Sequence, residues 1–176
     1  MNRRAPHRNS TLQIGCLMIG AGATLVQGDV TLPAVFSDHM VIQRDLSVPV
    51  WGRADVGESV TVSFGGRVVD TIADGEGRWR LDLGPLEATA EPRVMTVEGR
   101  NRLEITDVLV GEVWICGGQS NMEWTVDGSS DPNREKATAD RPAIRLIKAP
   151  HVTANRPQAD IAASWTVCSP TTVGGF

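Results

Sequence analysis

The chain has 176 residues, of which 41% are hydrophobic and 22% charged, and its formal net charge is −4. Such a chain can bury a hydrophobic core without disulfides or metals, and its composition excludes disorder, a collagen helix and a coiled coil. The acidic balance gives no electrostatic reason to expect a nucleic acid or an anionic membrane surface as partner. We therefore expect one large or two small folded domains and no nucleic-acid partner.

The amino terminus has the pattern of a secretory signal peptide. Residues 1–10 contain three arginines and no acidic residue, and residues 11–26 are uncharged and mostly apolar or small. This apolar stretch is too short and too rich in glycine to predict a membrane span. We predict a signal peptide over residues 1–28, and a secreted or periplasmic mature chain without a membrane span. An uncleaved anchor and a lipoprotein modified at Cys16 are the alternatives.

Residues 29–105 have the pattern of short strands separated by tight turns. Residues 59–64 alternate apolar and polar side chains, and the Gly65-Gly66 dipeptide after them predicts a hairpin with a returning strand. Residues 79–83 alternate in the same way after a second glycine-containing turn. Turn signals at this spacing favour an antiparallel β-sandwich over β–α–β units.

Two tryptophans, Trp51 and Trp79, lie on predicted strands. Packing in the core is the simpler interpretation of both rings. The alternative is a platform on which sugars stack, which requires both rings to be exposed on one face. That alternative would make the protein a non-catalytic carbohydrate-binding β-sandwich. His39, which follows Ser-Asp in a loop-like segment, is interpreted as structural rather than catalytic.

The pattern changes after residue 105. Residues 108–116 form a nearly continuous apolar run with one acidic residue, which is typical of a parallel strand covered on both faces. Farther along, Asp131-Pro132 predicts a capped short helix and residues 144–147 predict the next parallel strand. Cys116 and Cys168 could form a disulfide in a secreted chain, or remain two isolated buried thiols.

Ser120 follows the apolar run after two glycines and precedes a stretch that can form a helix. Glycines allow a sharp turn and a close approach of substrate to the backbone, so the Ser120 hydroxyl would stand at the end of a strand as an exposed nucleophile does. The alternative is that Ser120 only caps the helix. Met122 occupies the second glycine position of the Gly-x-Ser-x-Gly elbow, which excludes that motif.

The eight residues 117–124, Gly-Gly-Gln-Ser-Asn-Met-Glu-Trp, resemble the nucleophile block of the SGNH hydrolases, and most closely that of the sialate O-acetylesterase family. Further segments resemble blocks of the same family in the same order: residues 36–44, 49–52, 57–58, 107–114, and Trp165 with residues 168–170. The resemblance extends from about Leu32 to Phe176, and several blocks in the correct order are more specific than the serine block alone.

This resemblance implies a β-sandwich domain over residues 29–105, followed by the first part of a flavodoxin-like, three-layer α/β SGNH hydrolase domain over residues 106–176. It implies that Ser120 hydrolyses O-acetyl esters of sialic acid through an acyl-enzyme. The implied nucleophile and oxyanion loop consists of Gly118, Gln119, Ser120 and Asn121. The substrate would be an O-acetylated sialic acid or a related acetylated glycan, so an acetylesterase acting on other glycans is the alternative. No metal or organic cofactor is implied, and no oligomeric state is indicated.

The sequence departs from the family pattern where the catalytic base is expected. The family's base histidine lies in an Asp-x-x-His block, and none of His7, His39 and His151 has an aspartate three residues before it. The family's Gln-Gly-Glu-Ser-Asn-like oxyanion block is also absent, and the residues after Ser120 are too few for a complete doubly wound domain. We therefore expect an amino-terminal fragment that is inactive alone, because serine needs a histidine base.

Overall fold

The computed structural model describes residues 28–176, together with Met1, and this part of the chain is mainly β-sheet. Its elements in chain order are β1 (Val41–Gln43), β2 (Pro49–Arg53), β3 (Ser59–Phe64), β4 (Arg67–Ile72), β5 (Arg78–Asp82), β6 (Thr89–Glu98), β7 (Arg102–Gly111), α1 (Pro132–Ala137), β8 (Arg141–Leu146) and β9 (Thr166–Cys168). Short 3₁₀ turns cover Ser120–Glu123, Val126–Gly128 and Val173–Gly175.

The strands of the described residues form three sheets. The largest has five strands in the order β1-β7-β6-β3-β4, and the other two are the pairs β2-β5 and β8-β9. Neighbouring strands are antiparallel except for β1 and β7, which run parallel. The predicted layout of a β-sandwich followed by part of an SGNH domain, with its boundary at residue 105, stays a prediction.

The hairpin predicted around Gly65-Gly66 is confirmed. Val60, Val62 and Phe64 of β3 are buried while the residues between them are more exposed, and β4 returns antiparallel to β3. Gly65 and Gly66 have φ angles of 57° and 78°, a left-handed conformation that residues with a Cβ rarely adopt. The sequence therefore specifies this hairpin through both its alternation and its turn.

One hydrophobic core fills the first part of the molecule. All buried members of this core lie between Val30 and Val110, and they come from both the five-stranded sheet and the β2-β5 pair. Trp79 of β5 is one of them, with 3% of its surface exposed. Burying a large apolar side chain contributes about 1.5–3 kcal/mol, so these strands carry most of the hydrophobic stabilisation.

The covered parallel strand predicted over residues 108–116 is present only up to Gly111, where β7 runs parallel to β1, and the prediction that this strand leads directly to Ser120 is wrong. Val108 and Val110 are buried, but they belong to β7, which pairs with β6 and β1 in the first sheet. The strand ends at Gly111, and residues 112–118 have no regular secondary structure. Trp114 and Ile115 are 83% and 96% exposed. An apolar run indicates a tendency to be buried, but it does not say how far the buried strand extends.

The predicted short helix is confirmed as α1, with Asp131 accepting a hydrogen bond from the Arg134 backbone N–H at 3.4 Å. The strand predicted at residues 144–147 exists as β8, but its predicted parallel pairing is wrong because β8 runs antiparallel to β9. The local pattern identified both elements, whereas the partner strand lies twenty residues away and left no signal in that pattern.

The structure also tests the alternative that Trp51 and Trp79 form a platform on which sugars stack. The two-ring sugar platform is wrong, because Trp79 is buried and its cross-strand partner is Gly52, which places Trp51 on the opposite face of the β2-β5 pair.

The alternative of a disulfide between Cys116 and Cys168 is not realised, since both thiols are free. Cys168 is buried as expected, but Cys116 is exposed.

The predicted signal peptide lies, apart from its two end residues, outside the described part of the chain and stays a prediction. Within residues 28–176, no helix has both the length and the apolar character needed to cross a bilayer.

Candidate active site

Ser120 is exposed and is the first residue of a single 3₁₀ turn. Gln119 before it is extended, with φ −113° and ψ −153°, and no side chain caps the turn. The alternative that Ser120 serves as a helix cap is therefore not realised. Its hydroxyl is presented at the point where an extended segment enters a turn.

Gly118 lies in close contact with the side chain of Met122. The Met122 backbone N–H donates to the Gln119 carbonyl at 2.8 Å, which folds Met122 back over residue 118. A Cβ at position 118 would lie 2.8 Å from the Met122 Cγ, closer than van der Waals contact allows. A residue with a Cβ at position 118 would displace the Met122 side chain, and the role expected of the glycine from the sequence stays a prediction.

Ser120 lines a shallow depression of about 290 Å³ together with Glu123, Trp124, Thr125 and Gly128. This volume is at the lower end of the range of small-molecule sites, so it suits a small group better than a whole oligosaccharide. Trp124 is largely exposed and supplies an apolar surface beside the hydroxyl. The depression can therefore admit a small acyl group next to Ser120.

The far side of the depression is fixed to the carboxyl-terminal part of the chain. The Val126 backbone N–H donates to the carbonyl of Phe176 at 2.5 Å. The Lys136 ammonium group of α1 donates to the Asp127 carboxylate at 2.7 Å. Both contacts hold the turn Val126–Gly128, and thereby Gly128, in place.

His151 lies beside this depression, because its Nδ1 is 3.8 Å from the Glu123 carboxylate. Both side chains are largely exposed, so the pair contributes little stability. Among the hydrogen bonds and ion pairs of the described residues, none joins Ser120 to a histidine. The base that would activate Ser120 is therefore not in contact with it here.

A second polar cluster lies at the junction between β7 and β8. His39 Nδ1 donates to the Asp107 carboxylate at 2.6 Å, and Arg145 donates to both oxygens of that carboxylate at 2.7 and 2.9 Å. The Arg145 side chain is only 4% exposed. The Arg145 hydrogen bonds, reinforced by the one from His39, hold the pKa of Asp107 below its usual value.

The backbone at this cluster is unusual as well. His39 and Asp107 have φ angles of 69° and 55°, which are uncommon for residues other than glycine. Such conformations persist where surrounding contacts over-determine them, and the bidentate Arg145 pair is such a contact. This arrangement is consistent with the structural role predicted for His39, which stays a prediction.

Sequence reasoning did not find this cluster. The local sequence of His39 offers Asp38 directly before it and Phe36 three positions before it, whereas Asp107 is 68 positions away and is brought close by the pairing of β1 with β7. Both residues do fall within the family-like blocks, which was the one available signal. No group of three or more metal-binding side chains is assembled within residues 28–176, and the expectation that no cofactor is needed stays a prediction.

Comparison with known proteins identifies relatives of one kind. No family model matches the chain. The sialate O-acetylesterase of Rattus norvegicus is 30% identical over 136 residues, covering 70% of this chain and 25% of the relative. The human sialate O-acetylesterase is 27% identical over 139 residues, covering 72% of this chain and 27% of the relative. The chain thus spans about a quarter of the length of these relatives.

A solved structure extends the comparison. A carbohydrate acetylesterase from Xanthomonas citri is 36% identical and superimposes with a TM-score of 0.80. The match covers 84% of this chain and 34% of that chain. A sequence identity of 36% indicates that the two chains share ancestry as well as a similar fold.

Proposed function

Because the chain belongs to the sialate O-acetylesterase family, as its sequence blocks indicated, we propose that it carries the nucleophile of an esterase that removes acetyl groups from carbohydrates. The observation that carries this proposal is the exposed Ser120 hydroxyl on a tight turn, lining a depression that is large enough to admit a small acyl group. The proposed substrate is an O-acetylated sialic acid, with other acetylated glycans as the alternative.

In the proposed reaction, the Ser120 oxygen attacks the acetyl carbonyl carbon while a base takes its proton. The sugar oxygen then leaves with that proton, and water releases acetate from the acetyl-enzyme. The Ser120 backbone N–H is proposed as one donor to the negatively charged oxygen of the intermediate. Gly118, Gln119 and Asn121 shape the loop around it.

The base is the missing part of this arrangement. Serine is a poor nucleophile at neutral pH without a base within hydrogen-bond reach. Of the two histidines in the described residues, His39 is bonded to Asp107, and His151 lies near Glu123 without contacting Ser120. We therefore propose that this chain alone releases acetate only at the small residual rate of a triad without its base. We also propose that it acts outside the cytoplasm, as the pattern of residues 1–28 predicts.

The proposal can be tested in a chimera in which residues 28–176 replace the structurally matching part of the Xanthomonas citri acetylesterase. The chimera should release acetate from 9-O-acetyl-N-acetylneuraminic acid, and Ser120→Ala should lower kcat/KM by about 10³-fold or more. Ser130→Ala, which removes an exposed hydroxyl from a nearby loop, is the matched control and should leave the rate unchanged.

The outcomes separate the alternatives. A folded Ser120→Ala chimera with undiminished activity would remove the nucleophile assignment. Faster hydrolysis of acetylated xylan than of acetylated sialic acid would keep the esterase mechanism but assign the chain to other acetylated glycans.

A further inference from the structure

A second and larger cleft lies over the outer face of the β2-β5 pair. Its volume is about 630 Å³, within the range of small-molecule sites. Residues 31–33, Ala159 and Asp160 are among the residues that line it. The Asp160 carboxylate accepts a hydrogen bond from the Ala34 backbone N–H at 2.7 Å, which joins these two segments of its lining.

The floor of this cleft is set by strand register. Trp51 pairs with Arg80, and Arg53 pairs with Arg78, so these four side chains point to the same face. The residues between them on the strands, such as Val50 and Leu81, point into the core. One aromatic ring is thus surrounded by three guanidinium groups on the outer face.

The Trp51 ring is held in position but remains accessible. Phe36 packs nearly perpendicular to it, with ring centroids 4.7 Å apart and an interplanar angle of 77°. Even so, Trp51 is 38% exposed and lines the cleft. A rigid, half-buried indole offers an electron-rich face on which the C–H groups of a pyranose ring can stack.

The arginines around Trp51 differ in whether their guanidinium groups are paired with carboxylates. Arg78 pairs with Asp74 and Glu76, and Arg80 has Asp82 at 3.8 Å. Arg53 donates only a long hydrogen bond of 3.4 Å to a backbone carbonyl. Among the ion pairs of the described residues, none includes Arg53, although its side chain is exposed.

We propose that this cleft binds the pyranose ring of an acidic sugar, with the ring stacked on Trp51 and its carboxylate paired with Arg53. A guanidinium group binds a carboxylate through two parallel hydrogen bonds, which gives it a preference for an acidic over a neutral sugar. The cleft shares no lining residue with the depression at Ser120. It is therefore a binding site separate from the proposed ester hydrolysis and does not depend on it.

The test is a binding titration of the full chain, followed by the NMR shift of the Trp51 indole N–H, assigned from a Trp51→Phe spectrum. The probes are the methyl glycosides of N-acetylneuraminic acid and glucuronic acid, each compared with its uncharged methyl ester. At least one acid should bind saturably, and its ester should bind about tenfold more weakly or worse.

Variants assign the two contacts. Trp51→Ala lacks the indole reporter, so its binding is measured by isothermal titration calorimetry beside the unmodified chain, and saturable binding should be lost. Arg53→Gln should reduce the affinity for the acid to that for its ester. Arg53 is exposed and outside the core, so its variant keeps the fold even if Trp51→Ala does not. Trp114→Ala removes an exposed indole elsewhere and should leave binding unchanged.

The proposal is overturned if neither acid binds saturably, if acid and ester bind equally, or if Arg53→Gln leaves the affinity for the acid unchanged. None of these results bears on the Ser120 chemistry, because the titration measures binding alone.

Discussion

Residues 28–111 and residues 112–176 differ in where their apolar side chains lie. The first segment buries them in one continuous core shared by two sheets. In the second, Trp114, Ile115 and Trp124 are largely exposed, and the buried hydrophobic residues are limited to Ala139 and Cys168. The candidate nucleophile therefore lies on the segment that buries fewer apolar side chains, and the segment with the larger core supports it.

The two segments are joined mainly by polar contacts, and Trp165 of the second segment also packs against the core of the first. The polar contacts include the bonds from Arg145 to Asp107, from the Ala34 backbone N–H to Asp160, and from the Trp165 indole to the Val35 carbonyl. Such contacts are directional, so they fix position even where little apolar area is buried. The second segment should therefore open without unfolding the first.

Hydrogen exchange should show the largest difference between the segments. We expect the central amides of β3 and β6 to exchange about 10³-fold more slowly than those of residues 112–131, because local opening is easy where few apolar contacts are buried. Amide exchange followed by NMR would measure this. Equal protection along the chain would show that residues 112–176 are as firmly packed as the first sheet.

A matched pair of tryptophan substitutions tests the same difference energetically. Trp79 is 3% exposed and Trp114 is 83% exposed. Trp79→Ala should lower the free energy of unfolding by about 3–5 kcal/mol, since it leaves a large cavity. Trp114→Ala should change it by less than about 0.5 kcal/mol. Urea unfolding measures both, and similar losses for the two variants would contradict the proposed distribution of the core.

The junction between the segments should depend on Arg145. Arg145→Gln should destabilise the protein by about 1–3 kcal/mol, because the Asp107 carboxylate loses its bidentate partner. It should also increase amide exchange in β8 and β9 more than in β3. Arg141→Gln is the control, since that side chain is exposed and bonds only to the neighbouring carbonyl of Asp140. Unchanged exchange in β8 would mean that this ion pair does not hold the second segment.

The same junction predicts a small dependence of stability on acid. The pKa of Asp107 is lower in the folded chain than its unfolded value of about 3.9, chiefly through the Arg145 hydrogen bonds. Its contribution to stability is therefore complete above about pH 4 and is lost as the pH falls through the lowered folded-state pKa.

Urea midpoints measured between pH 2 and 6 should fall less steeply for Asp107→Asn than for the unmodified chain. Asp38 and Asp74 also have lowered pKa values, through backbone N–H groups of Thr106 and of Arg78 respectively, so some acid dependence should remain in the variant. Identical profiles for the variant and the unmodified chain would exclude Asp107 as a contributor.

The sequence predicted the elements that are specified by residues lying close together in the chain. The hairpin at Gly65-Gly66, the alternation of β5 and the capped helix α1 were all predicted, because each is specified by side chains a few positions apart. The end of β7 and the partner of β8 were not predicted, because both depend on which distant strand is available for pairing.

For the candidate site, the sequence singled out Ser120 and the loop around it. It missed the Asp107 partner of His39 and the cleft at Trp51, since both arise from pairing between strands far apart in the chain.

Covalent labelling of the acetylesterase chimera by a fluorophosphonate, followed by mass spectrometry of its peptides, would show whether Ser120 is the nucleophile. The reagent captures a serine only where a base activates it, so the adduct identifies the nucleophile. We expect one adduct, on Ser120, that is absent from Ser120→Ala and present in Ser130→Ala. An active, folded chimera labelled at another residue, or not labelled at all, would contradict it.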